Sequence, residues 1–131
     1  MTKVLWTYKC FKDHRDIDVV DGWHKKLSPT ARANFMRARQ QLAHQPMTSW
    51  SRPHASPLGN HIYVIRFKDE NRTQHRVFGH FEQTDSAFVM SVTGYEKDSV
   101  YYPKTYVADV SSARSVCEGN YEKRTCNCLN V

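Results

Sequence analysis

Two alternating runs, HIYVIRFK (61–68) and QHRVFGHF (74–81), set Arg66, Lys68, Arg76 and His80 among apolar residues. Strand side chains point alternately to opposite faces. Tyr63, Ile65 and Phe67 therefore share one face, while Ile62, Val64, Arg66 and Lys68 share the other. In the second run Val77 and Phe81, with Gly79 between them, continue the apolar face, and His75 falls on it too. Arg76, Phe78 and His80 then join Arg66 and Lys68 on a cationic face. Such a face holds parts for cleaving RNA through its own 2′-hydroxyl, which needs a base, an acid for the leaving oxygen and cations for the phosphorane. Arginine suits the last role because its fork holds two phosphate oxygens at once. His80 is the candidate acid or base, since histidine titrates near neutral pH. Phe78 or Tyr95 can stack an unpaired base. The same residues also allow binding of nucleic acid or acidic peptide without catalysis. Arg66 and Arg76 can equally serve a structural ion-pair network with Glu96 or Asp98.

The 131 residues suit one domain, because a chain of this length buries one core. Nineteen Lys and Arg against 13 Asp and Glu give a net charge of +6, which favours a polyanionic partner, nucleic acid first and an acidic protein second. No apolar run is long enough to span a bilayer, and the N-terminal MTKVLWTYKCFKDHRD has charges where a signal peptide needs apolar residues. A cytoplasmic protein with no membrane partner is expected. Cys10, Cys117, Cys126 and Cys128 are few for a disulfide scaffold and read as free thiols. The CNC triplet has no second matched pair, so no metal site is expected.

Several elements must position the cationic face. KVLWTY (3–8) reads as a first strand, being β-branched and aromatic. Ile17, Val20, Trp23 and Leu27 recur at helical spacing and predict a short helix across Gly22. In LSPTARANFMRARQQLAHQP, Ser28 can cap a second helix, Pro29 suits its first position and Pro46 lies just past its end. Ala31, Phe35, Ala38 and Leu42 form its core stripe, with Arg32, Arg37, Arg39 and Gln40 looking outward as a solvated face or a contact for an anionic partner. Residues 47–60 read as a loop anchored by Trp50. The runs 61–68, 74–81 and 87–95 predict an antiparallel meander, and a last helix is entered at Pro103 and closes near Gly119. Residues 120–131 read as a flexible tail. The order implies an α+β fold: an antiparallel-dominated sheet with two N-terminal helices on one face, a C-terminal helix, and the other sheet face open.

The ordered segments LGNHIYVIRFKDENRTQHRVFGHF, FVMSVTGYEK and the proline at 103 resemble the RelE/ParE toxin superfamily, in particular its phage-derived, HigB-like branch. WHKKLSPTARANFMRARQQL matches the paired helices of that family, so the resemblance covers about residues 1–115. It implies a single RelE-like domain acting as the toxin of a type II toxin–antitoxin pair. RelE-like members cut messenger RNA within the ribosome, without metal or cofactor. By the same resemblance the strand arginine falls on Arg66, the arginine of the next strand on Arg76, a terminal lysine on Lys97 and a substrate-stacking or proton-transferring tyrosine on Tyr101. Val64 stands where some members carry a further basic residue, and Lys68 and His80 are candidates to replace it. Lys97 and Tyr101 can alternatively cap the final helix. The implied partners are the ribosome, mRNA and a cognate antitoxin, the last with a helix-turn-helix domain. Two other readings share the fold: a ParE-like inhibitor of DNA gyrase, and a non-catalytic nucleic-acid- or protein-binding module.

Overall fold

The protein was analysed as a computed structural model, which describes residues 3–127. Its strands are β1 (Thr7–Phe11), β2 (Ala55–Pro57), β3 (Tyr63–Lys68), β4 (Gln74–Glu82), β5 (Ala87–Lys97), β6 (Val100–Tyr102) and β7 (Thr125–Asn127). The helices are α1 (Val19–Lys25), α2 (Pro29–Ala43) and α3 (Tyr106–Arg124), with a short 3-10 turn at Met47–Ser49. The sheet runs β2-β3-β4-β5-β1-β7, with β6 paired to β5 outside that path. Only β1 and β5 run parallel among these pairs. This is the α+β class that the sequence predicts, including the β3-β4-β5 meander.

Local chemistry explains where the helices begin. Asp18 accepts from the Asp21 amide at 2.9 Å and caps α1. Ser28 does the same for α2, accepting from Ala31 N at 3.1 Å ahead of Pro29. Each bond satisfies an amide that the first helical turn leaves without a backbone partner. Ala31, Phe35, Ala38 and Leu42 of α2 then pack with Ile65, Phe67, Val77, Phe81 and Phe88 of the sheet in one core. Trp50 closes that core: it is buried, and its indole nitrogen donates to Leu42 O and Gln45 O, each at 3.1 Å.

Several expectations are corrected. Arg39 does not look outward: it is 7 % exposed and lies 4.5 Å above the Phe35 ring, a stacking that offsets part of the cost of burying its charge. The first strand is displaced to Thr7–Phe11, where it pairs with Ala87–Met90. Ala55–Pro57, in the segment read as loop, is an edge strand on β3. Val100–Tyr102 folds back on β5 through Asp98 and Ser99, whose φ values of 53° and 64° make a tight turn matched to strand twist. The final helix starts later and runs further than predicted, with non-helical angles at Asn120. Residues 120–127 are not a tail, because β7 pairs with β1; 128–131 lie outside the described residues.

The sheet face opposite α1 and α2 is not open either. Val110 of α3 packs there with Ile62, Val64 and Phe78 in a second, smaller core. Gly94 lets the chain reach that position, since a Cβ there would collide with the Tyr102 carbonyl oxygen. Cys117 and Cys126 are free, as read from the sequence, whereas Cys10 is disulfide-bonded.

Candidate functional site

Register brings the central expected residues together. Arg66 and Arg76 are direct cross-strand partners on β3 and β4, and Gln74 opposes Glu96 on β5. Glu96 then receives both arginines, from Arg76 Nη2 at 2.9 Å and Arg66 Nη1 at 3.5 Å. The β5–β6 hairpin sets Tyr101 opposite Glu96, and Arg66 Nη1 donates to its hydroxyl at 3.1 Å. Two guanidinium groups sharing one carboxylate leave the cluster with a net positive charge.

The two arginines differ in what they can still do. Arg76 is 1 % exposed, and further bonds run to His75 O and the Gln74 side chain, each at 2.8 Å. Burial, then the charge of Arg66, lowers its pKa from the usual arginine value, with Glu96 opposing. Its donors are engaged within the fold. Arg66 lines an open cleft of about 570 Å³ where β3 runs on past the end of short β2. Arg66 N also donates to His54 O at 2.8 Å, tying the preceding loop to the strand. Arg37, Arg52, Arg66, Lys68, Arg76 and His54 line this cleft, and no carboxylate does so among the described residues.

Other expected residues fall elsewhere. Phe78 is fully buried, stacked on Tyr106 at 4.8 Å and edge-on to Tyr101, so α3 withdraws it from base stacking. His80 is 2 % exposed, and burial, helped by Arg114, pushes its pKa down to about 4. It therefore stays neutral near pH 7, which corrects its reading as a group titrating there. Lys97 and Tyr95 alternate with Glu96 along β5 and belong to the opposite sheet face, separated from Arg66. Both are exposed.

The sequence reading missed Arg52 and His54, two basic residues either side of Pro53 in a loop. Arg37 lay in the outward arginine row, whose position over this cleft depends on how α2 crosses β3. Among the described residues no group of three or more His, Cys, Asp or Glu is placed to hold a metal ion, and no helix is long and apolar enough to cross a membrane.

No curated protein and no solved structure is significantly similar to the chain. A family model described as phage derived protein Gp49-like does match, over residues 22–118, a span that includes the second half of α1, all of α2, the meander, the Arg66–Glu96–Tyr101 cluster and most of α3. The chain thus belongs to the phage-derived Gp49-like family, which is related to the toxins of toxin–antitoxin systems.

Proposed function

We propose that the protein is a RelE/HigB-like toxin that cleaves messenger RNA on the ribosome in the cytoplasm. The observation that carries this reading is the cleft with five Lys and Arg side chains and no lining carboxylate, continuous with the Arg66–Tyr101 pair. In it Arg66 braces the scissile phosphate, while Arg37, Arg52 and Lys68 hold the flanking backbone. The 2′-oxygen attacks phosphorus, its proton passes to a base, the P–O5′ bond breaks, and the 5′-oxygen takes up a proton. His54, at the cleft, replaces His80 as the candidate for proton transfer, and the Tyr101 hydroxyl, which accepts from Arg66 Nη1, is a second candidate. Arg76 positions Arg66 and Glu96 and does not touch substrate. Lys97 lies on the other face and is left out of the reacting group. An antitoxin with an acidic segment neutralises the protein by covering the cleft.

Inducing the wild type and Arg66→Ala in bacterial cells and mapping mRNA 5′ ends tests this. Ribosome-dependent, codon-spaced cuts that vanish in the variant are expected. The pairing of both arginines to Glu96 favours a second reading, a ParE-like gyrase inhibitor that cleaves nothing; growth arrest without cuts supports it and removes the ribonuclease.

A further inference from the structure

On the helix-bearing side of the sheet, where β4 begins and β5 ends, Trp23, His75, Tyr95 and Tyr102 line a second cleft of about 610 Å³. Its walls are flat. Tyr95 and Tyr102, neighbours across the β5–β6 pair, stack at 5.0 Å with 15° between their planes. Trp23 of α1 meets His75 edge-on at 6.3 Å. His75 is fixed from behind by Asp69, 3.0 Å from Nε2, and by stacking on Phe67. Tyr95 is 46 % exposed, which leaves part of its ring open to solvent.

Charge narrows what such a cleft accepts. Lys104 Nζ lies 5.6 Å from the centre of the Tyr102 ring, and Lys97 shares the strand face of Tyr95. No carboxylate lines the cleft among the described residues, while Thr73 and Thr93 supply hydroxyl groups. Aromatic walls with flanking lysines suit a planar ring that carries a phosphate; a sugar or an apolar peptide side chain would leave the lysines unused. We propose that this cleft is a nucleotide-binding site that stacks one unpaired RNA base on Tyr95 and holds its phosphate with Lys97 and Lys104. The proposal rests on RNA being the partner of the protein, and it places a second RNA contact on the face away from Arg66. One strand then touches the domain on both faces, at the same end of the sheet.

The full chain, labelled with ¹⁵N, titrated with adenosine 5′-monophosphate and separately with ribose 5-phosphate, provides the test. Saturable shifts at the Trp23 indole and at the Thr93 and Tyr95 amides are expected with the nucleotide and not with the sugar phosphate. Tyr95→Ala, whose fold the same spectrum checks, weakens binding about tenfold, in line with the loss of one base–aromatic stack. Arg66→Ala leaves it unchanged. Absence of saturable shifts, or shifts that persist in Tyr95→Ala and vanish in Arg66→Ala, overturns the proposal. The readout needs no cleavage, so failure of the ribonuclease reading in cells leaves this result independent.

Discussion

The shared carboxylate Glu96 separates two arginines that look equivalent along the strands. Arg76→Ala removes the buried partner of Glu96 and is expected to cost roughly 3 kcal/mol of stability. Arg66→Ala costs about 1 kcal/mol, because Arg76 still holds the carboxylate. Urea unfolding of the two variants checks this order, and only if it holds can lost activity in Arg66→Ala be read as chemistry. His80 gives a second test. Its folded pKa of about 4 lies below the ordinary 6.5, so the unfolded chain binds the extra proton as pH falls through that interval. The stabilisation is complete above about pH 6.5 and is lost on the way to pH 4. Lowering the pH from 7.5 to 5 is expected to remove about 2 kcal/mol through this group, and His80→Leu should flatten that part of the profile. The sequence placed Arg66, Arg76, Phe78 and His80 on one face correctly, since strand parity is a local property. Which of them stay reachable depended on where α3 lies, and no local pattern encodes that.

Among the elements, α2 was legible from end to end because its cap, first-turn proline and apolar stripe all lie within its own residues. The strands β2, β6 and β7 were not. Each has three residues, too few for alternation to stand out, and each exists because a neighbour offers an edge. The β6 connection also aims α3 at the sheet, and Gly94 is where it crosses. Gly94→Ala drives a methyl group into the Tyr102 carbonyl and is expected to destabilise by about 1–3 kcal/mol. Thermal unfolding would report the loss, and a rise in fluorescence of an apolar-surface dye would report Phe78 and Val110 parting. An unchanged melting temperature would mean that β6 shifts aside without cost.

For the molecule as a whole, the net charge of +6 is not spread evenly, since five cations gather at one cleft. Binding to single-stranded RNA should therefore weaken steeply with salt. Replacing both Arg37 and Arg52 by Ala is expected to reduce the slope of log K against log salt by about 1.4, at roughly 0.7 per lost phosphate contact. Both side chains are exposed, so unfolding should be unaffected, and filter binding at several salt concentrations measures the slope. The composition alone gave the excess of positive charge; its gathering at one cleft did not show, because Arg37, Arg52 and Lys68 are far apart in the chain.

The strand β1 sits between β5 and β7, so the earliest part of the sheet to be synthesised takes its place only between two strands made much later. While a ribosome translates this chain, the first strand must wait, unpaired, until residues 87–90 emerge, and its far edge stays bare until residues 125–127 follow. The meander can form in the meantime, but the sheet closes only once residues 125–127 have emerged. A nascent chain that has not yet reached residue 125 therefore offers an unfilled strand edge to chaperones and proteases.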